Sequence, residues 1–245
     1  MKAVFTPTKG MTPVDTSYCP GCTHGIAHRI IMEVLDEEGL LGKTIGVAPI
    51  GCAINAHHFM NIDMCESMHG RAPAVASGIR RVNPSKVVFT YQGDGDLAAI
   101  GIAEITHAAL RGEKFTTFFI NNGIYGMTGG QLAPTTLVGM KATTAPGGRD
   151  PKQHGYPLHM AEIINQLVAP VYIERVSCNN PANVRKAKNA IRKAFQNQID
   201  GKGYSFVEVM TSCPTNWGLS PEKSLKFLEE NMMKEFPLGV IRDNR

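Results

Sequence analysis

Apolar residues along the chain follow two rhythms. Ile26, Ile30, Ile31, Val34 and Leu35 recur at helical spacing behind a tight loop at 18–25, until Gly39 and Gly42 stop the run. Residues 44–50 form a short, mostly apolar strand candidate that ends on Gly51-Cys52. A second helix is predicted over 72–81, closed before Asn83-Pro84 because a residue preceding proline disfavours the helical region. Residues 87–91 (Val-Val-Phe-Thr-Tyr) read as a buried strand, broken by Gly93-Asp94-Gly95-Asp96. Helical spacing then resumes over 97–111, and 115–120 is again strand-like. Strand, helix and strand joined by short loops make a βαβ unit, which implies a parallel sheet.

Residues 121–160 are rich in Gly, Pro and Thr and show little periodicity. A loop of that length inside a compact domain is usually functional or disordered, and the stretch 132–160 has the character of a lid or a partner-facing segment. Regular patterning returns as a strand at 171–176, a helix at 182–197, a strand at 204–210 and a C-terminal helix at 221–235. The alternation predicts one α/β domain over 1–245, with a mostly parallel sheet and helices on both faces. Residues 1–18 form an aperiodic lead-in, and no internal repeat or linker divides the chain.

Composition narrows the function classes. Of 245 residues, 43% are hydrophobic and 19% charged, which is a folded chain and not a disordered one. The net charge of +4 is spread out, so the footprint of a nucleic-acid binder is missing. No apolar run approaches the roughly 20 residues a membrane span needs. Residues 1–13 lack the hydrophobic stretch of a secretion signal, and the cytoplasm is the expected compartment. In a reducing compartment the six cysteines do not read as a disulfide framework.

Chemistry concentrates in two loops one βαβ unit apart, Gly93-Asp94-Gly95-Asp96 and Asn121-Asn122-Gly123. Ligands of open parallel sheets bind beyond the carboxyl ends of the strands. The first loop offers a carboxylate between glycines and opens a helix whose start favours an anion. The second offers amide and carbonyl oxygens. Such a set suits Mg²⁺, which is held by a few protein oxygens together with phosphates and waters. Either loop alone is an ordinary turn with a capping residue. Their order and spacing together point to a metal–diphosphate site.

This pattern resembles the magnesium–thiamine diphosphate motif of thiamine-dependent enzymes. The continuation Ile124-Tyr125-Gly126-Met127-Thr128-Gly129-Gly130-Gln131, then Pro134-Thr135-Thr136, is similar to the β subunit of 2-oxoacid:ferredoxin oxidoreductases. So are Cys19-Pro20-Gly21-Cys22-Thr23-His24-Gly25, Ile50-Gly51-Cys52-Ala53 and His69-Gly70-Arg71-Ala72, in the same order over about residues 17–240. The resemblance implies a thiamine-diphosphate-binding fold. It makes Asp94, Asn122 and the backbone of Ile124 the Mg²⁺ ligands. It sets Gly93, Gly95, Asp96, Gly126, Met127 and Thr128 along the cofactor, and Ile50, Gly51, Cys52 and Ala53 against the thiamine. His69 would contact the cofactor near its diphosphate; on residue type alone it reads as a histidine at a helix start.

Cys19-x-x-Cys22 by itself is half a zinc site, a redox dithiol or part of a cluster site. Any four-thiolate site needs two more cysteines, and Cys52 and Cys213, each following a strand, are candidates. The resemblance selects Cys19, Cys22, Cys52 and Cys213 for a [4Fe–4S] cluster borne partly on an N-terminal arm of about residues 1–25. Spacing alone does not separate iron–sulfur from zinc. Cys65 and Cys178 read as small buried residues.

The activity so implied is oxidative decarboxylation of a 2-oxoacid to an acyl-CoA, with coenzyme A as co-substrate and ferredoxin as electron acceptor. The glutamate that activates the thiamine ring is expected on an α subunit carrying the pyrimidine domain, with γ and ferredoxin-like δ chains alongside. Asn55 stands where some pyruvate- or 2-oxoglutarate-using members have a lysine; with Ala53 and Ile54 beside it, a branched substrate such as 2-oxoisovalerate is favoured. The rival readings are a non-redox thiamine decarboxylase subunit, for which the cysteines would be idle, and a zinc-stabilised interaction domain.

Overall fold

The computed structural model describes residues 6–244; the first five residues of the predicted N-terminal arm lie outside them. The strands are β1 (Thr44–Ala48), β2 (Asp63–Glu66), β3 (Val87–Gly93), β4 (Thr116–Asn121), β5 (Ile124–Tyr125), β6 (Gln131–Leu132), β7 (Pro170–Ser177), β8 (Tyr204–Met210) and β9 (Gly239–Asp243). Among the described residues, seven of them form one sheet in the order β2-β1-β3-β4-β8-β7-β9. All neighbours run parallel except β9, which joins β7 antiparallel. The expected α/β architecture with a mostly parallel sheet is therefore present. No helix of the described residues is long and apolar enough to cross a membrane.

The alternation of side chains along each strand builds two cores. Phe89, Tyr91, Phe118, Ile120, Val207 and Val209 enter one, beneath the helices His24–Glu37 and Pro181–Ile199. Val88, Phe119, Ile173 and Phe206 enter the other, beneath Ala72–Val82, Ile102–Leu110 and Met160–Asn165. Phe89, Phe118 and Phe195 meet edge to face with centroids 5.4–5.9 Å apart. Each ring so buried contributes roughly 1.5–3 kcal/mol, enough to fix the long helix on the sheet.

Two predicted helices are less regular than their apolar spacing suggests. The segment expected as one helix over 97–111 divides into wide π turns at Gly95–Ile100 and an α-helix at Ile102–Leu110. The break falls where the loop at Gly70 crosses: a Cβ on Gly101 would stand 2.7 Å from the Gly70 carbonyl oxygen and 2.3 Å from that of Asp96. The C-terminal helix likewise contains a π stretch, Leu228–Met232, between Pro221–Phe227 and Met233–Glu235. Strands β2 and β9, short and partly exposed edge strands, carry too little apolar pattern to be predicted.

The segment 121–160 is ordered without being regular. Beyond the small hairpin β5–β6 and the turn of helix Pro151–His154, it is gathered around the buried side chain of Arg149. That guanidinium donates to the carbonyl oxygens of Ala133, Pro134, Thr136, His154, Gly155 and Tyr156 at 2.7–3.1 Å. One side chain thus satisfies backbone acceptors that a sheet ladder would otherwise pair.

Candidate functional site

Because β1, β2, β3, β4 and β8 run the same way, the loops after them emerge on one edge of the sheet. The chain steps outward from β1 to β2, returns to β3 on the other side of β1, and continues outward through β4. The crevice between β1 and β3 is therefore a topological switch point, where such sheets bind ligands. Two adjoining cavities open there.

The first, of about 380 Å³, is lined by Ile50, Gly51, Cys52, Ala53, His69, Gly93, Asp94, Gly95, Asp96, Asn122, Ile124, Gly126, Met127 and Thr128 among others. Every residue expected along a thiamine cofactor or its metal thus faces one space. Asp94 is buried and takes hydrogen bonds on both oxygens, from the N–H of Gly95 at 2.9 Å and of Ile124 at 3.1 Å. The Asn122 amide oxygen accepts from the same Ile124 N–H at 3.1 Å. Two hard oxygens from β3 and β4 are so brought side by side by one shared donor. Burial pushes the Asp94 carboxyl up to about 7 against three backbone N–H groups and Thr135, which favour its charge. A divalent cation would reverse that balance, and the all-oxygen donor set suits Mg²⁺.

Asp96 behaves differently from its expected role as a cofactor-lining residue alone. It is almost fully buried, and its oxygens accept from four donors: Ile50 N–H at 3.2 Å, His69 Nδ1 at 2.7 Å, Gly70 N–H at 2.9 Å and Gln92 Nε2 at 2.6 Å. The carboxylate therefore ties the loops after β1 and β2 to the end of β3. Its contact with Nδ1 fixes the His69 tautomer and leaves Nε2 for a ligand. His69 precedes its helix by two residues and does not cap it. No sequence signal announces this tie, since each partner comes from a different loop.

The second cavity, of about 260 Å³, is lined by Cys19, Cys22, Cys52 and Cys213, with Tyr18, His24, Ile54, Asn55 and Asn216. Ser212 draws two of its walls together: its hydroxyl donates to Gly21 O at 2.9 Å and its N–H to Thr23 Oγ1 at 3.0 Å. Gly126 leaves the space for the sulfurs, since a Cβ there would stand 3.0 Å from Cys52 Sγ and 3.6 Å from Cys213 Sγ. Among the described residues no three His, Cys, Asp or Glu side chains are gathered as tightly as a single metal ion requires. Four thiols around one cavity are a donor set that zinc and an iron–sulfur cluster share. Burial, then the neighbouring thiols, pushes Cys52 up to about 12; burial likewise takes Cys22 to about 11. Thiols so placed stay protonated until a cation replaces the proton.

Cys178 is buried as expected, but Cys65 is not: it sits half-exposed on edge strand β2, its thiol directed at Glu66 O. Residue type had suggested burial; position at a sheet edge decides otherwise. His24 is a site residue beyond those singled out above. It lines both cavities, stacks on Tyr18 at 5.0 Å and bonds through Nδ1 to Tyr91 Oη at 3.0 Å. Burial lowers it to about 4, so it is neutral at physiological pH. Its place two residues after Cys22 was visible in the motif; its reach into both cavities was not.

The sequence matches the family described as thiamine pyrophosphate enzyme, C-terminal TPP binding domain, over residues 49–209. It is 51% identical to the ketoisovalerate oxidoreductase subunit VorA of Methanothermobacter marburgensis over 98% of this chain and 50% of that protein. The chain spans about half the length of the ketoisovalerate oxidoreductase subunits it matches. It is 36% identical to the 2-oxoglutarate synthase subunit KorB of Methanocaldococcus jannaschii, covering 87% of this chain and 77% of the relative. In fold it is similar to a 2-oxoglutarate:ferredoxin oxidoreductase from Magnetococcus marinus solved with 2-oxoglutarate, coenzyme A and succinyl-CoA bound. That match has a TM-score of 0.78 and 23% identity over 99% of this chain and 86% of the other.

Proposed function

The chain belongs to the thiamine-diphosphate-binding subunits of the 2-oxoacid:ferredoxin oxidoreductases, and on that footing we propose that its first cavity takes Mg²⁺ with thiamine diphosphate and its second a [4Fe–4S] cluster. In this reading the chain serves the oxidative decarboxylation of a 2-oxoacid to an acyl-CoA, and ferredoxin receives the electrons. The observation that carries it is the common wall: His24, Gly51, Cys52, Asn122, Gly126 and Met127 line both cavities. Thiamine diphosphate, when bound, supplies the nucleophilic carbon and electron sink that release carbon dioxide, and a cluster beside it takes electrons singly.

The protein's own contribution is placement. Asp94, Asn122 and the Ile124 carbonyl hold the metal, and Cys19, Cys22, Cys52 and Cys213 hold the cluster. His69, steadied by Asp96 through Nδ1, would offer its Nε2 to the phosphates. Ile50, Ala53 and Ala99 give the cavity apolar walls that would keep water from the reacting region. No glutamate of the described residues lines either cavity. That supports an activating glutamate from an α subunit seated over the mouth, where Ile100 and Met127 are exposed.

The substrate proposed is 2-oxoisovalerate. Neither cavity is lined by a lysine or arginine among the described residues, so this chain offers no such partner for the second carboxylate of 2-oxoglutarate. The high identity to a ketoisovalerate oxidoreductase subunit points the same way.

Anaerobic purification with co-purifying subunits tests the whole reading. A brown protein containing iron, sulfide and thiamine diphosphate, bleached by 2-oxoisovalerate and coenzyme A, is expected. Its rate with that substrate should exceed the rate with 2-oxoglutarate by at least about tenfold. A colourless zinc protein would end the redox reading, and faster bleaching with 2-oxoglutarate or pyruvate would reassign the substrate. An iron-free complex that still decarboxylates would favour the non-redox alternative.

A further inference from the structure

Behind the paired asparagines, Glu208 stands fully enclosed on the central strand β8 and lines neither cavity. Its Oε1 accepts from Asn121 Nδ2 at 2.8 Å and its Oε2 from Arg175 Nε at 2.8 Å. Arg175, equally buried on β7, spans from there to Glu162 Oε2 at 2.6 Å and Pro237 O at 3.2 Å. The other amide atom of Asn121, Oδ1, accepts the Gly123 N–H at 3.1 Å. That bond is the side-chain turn that bends the chain between Asn122 and Ile124. Asn121 is thus gripped at both ends, by a buried carboxylate behind it and by the metal-site turn in front. An enclosed carboxylate is costly unless its partners are complete; here one of those partners is the residue that shapes the site.

Resting on the thiamine reading above, we propose that Glu208 is a positioning residue of the metal–diphosphate site. It clamps Asn121 so that the turn aims the Asn122 oxygen and the Ile124 backbone at the cation. Glu208 touches neither metal nor cofactor, and its effect passes through Asn121 alone.

The test is the Mg²⁺-dependent affinity for thiamine diphosphate, measured by calorimetry on the full chain with its partner subunits, beside the melting temperature. Glu208→Gln offers one acceptor and one donor where two acceptors are needed, and Asn121→Asp sets two carboxylates face to face. Each is expected to weaken binding about 10–100-fold, the usual cost of losing an outer-shell partner. The double variant Asn121→Asp/Glu208→Gln restores the pattern at unchanged charge. Its new amide nitrogen can donate to the new carboxylate, and its amide oxygen can accept from Arg175. Affinity should return to within about threefold of wild type, a coupling that neighbours in one network show. Asn121→Ala, which removes the donor to Glu208 Oε1 and the turn to Gly123 together, should lose affinity at least as far as Glu208→Gln and melt lower than wild type, because the enclosed carboxylate oxygen is left without a donor. Single variants that fold and bind like wild type, or a double variant no better than the worse single, overturn the proposal. A wild type that binds no thiamine diphosphate overturns the thiamine reading, and this proposal with it.

Discussion

At the diphosphate end of the site Asp94, Asp96 and Asn122 each have hydrogen-bond donors before any ligand arrives. Asp94 takes N–H bonds on both oxygens, Asp96 takes four donors, and Asn122 shares the Ile124 N–H. The cysteine end, a shared wall away, is built the other way. Asn216 and the His24 backbone supply the hydrogen bonds that reach Cys213 and Cys22, and burial favours the protonated form of Cys22, Cys52 and Cys213. One half is organised by the chain; the other waits for the charge of its ligand. A preformed site loses little order when emptied, whereas binding free energy at an unfinished one is also folding free energy.

That contrast can be broken most forcefully by dividing the halves. Cys213→Ser, at a cysteine that lines the second cavity and not the first, should remove nearly all iron and lower the melting temperature by several degrees. It should leave thiamine diphosphate affinity within about threefold, since no hydrogen bond of the other half passes through that sulfur. Asp94→Ala should do the reverse, retaining iron while weakening thiamine diphosphate by more than about 100-fold through loss of a direct metal ligand. Iron assay and calorimetry on the same preparations read both. Joint loss in either variant would show the halves to be one folding unit.

The next effect is one of pH and carries opposite signs with and without metal. Asp94 is raised to about 7 in the folded chain, chiefly by burial. Folding therefore favours its protonated form. That contribution is complete below the ordinary carboxyl pKa and is lost as pH rises through about 7. Asp94→Asn should accordingly be more stable than wild type at pH 8 without metal, by about 4 kcal/mol at most, and melt higher, with the gap closing toward pH 4. Metal binding needs the carboxylate, so wild-type affinity for Mg²⁺ and thiamine diphosphate should fall as pH drops below about 7. Melting curves with and without ligand at pH 5.5 and 8 check both slopes.

How much of this was legible follows from range. Val87-Val88-Phe89 and Phe118-Phe119-Ile120 declare buried strands because both faces of the sheet are covered, and the site motifs follow those strands directly. A four-thiolate site demands two partners for Cys19 and Cys22, which made Cys52 and Cys213 candidates, and the family resemblance selected them. Asp96 is the opposite case: the residue is conspicuous, but its partners Ile50, His69 and Gly70 lie on loops that only the fold makes neighbours. Arg149 hid for the same reason, an arginine in a glycine- and threonine-rich stretch whose six carbonyl partners carry no sequence signature. The edge position that exposes Cys65 is likewise a property of strand order.

A smaller perturbation works on the seam between the halves. Gly126→Ala introduces a methyl 3.0 Å from Cys52 Sγ and 3.6 Å from Cys213 Sγ. The Cys52 sulfur must give by a few tenths of an ångström while Cys213 Sγ stays in ordinary contact, so the expected outcome is a bound cluster with an altered reduction potential and slower bleaching by substrate. Thiamine diphosphate affinity should change by less than about threefold. Redox titration followed by electron paramagnetic resonance measures the shift; an unchanged potential would mean that the sulfurs are placed by their own loops and not by the space Gly126 leaves.

The smallest effect is expected where replacement is most conservative, at Asp96. An alanine there strands three N–H groups and the Gln92 amide, each orphan costing about 1–3 kcal/mol. An asparagine leaves one oxygen for the Ile50, His69 and Gly70 donors and turns its nitrogen toward Gln92. Gln92 can answer, because its Oε1 is buried without a partner and rotation of the amide makes it the acceptor. Asp96→Asn should therefore fold like wild type. What it loses is the charge opposite His69 Nδ1, so its thiamine diphosphate affinity should fall by only about 3–10-fold, the scale of one charge-assisted hydrogen bond made neutral. The double variant Asp96→Asn/Gln92→Leu removes the answering group and strands the new amide nitrogen, so it should be less stable than Asp96→Asn by about 1–3 kcal/mol, the cost of one orphan. If it melts like Asp96→Asn alone, the amide rotation is not what preserves the loops, and the His69 and Gly70 contacts suffice to hold the diphosphate end in shape.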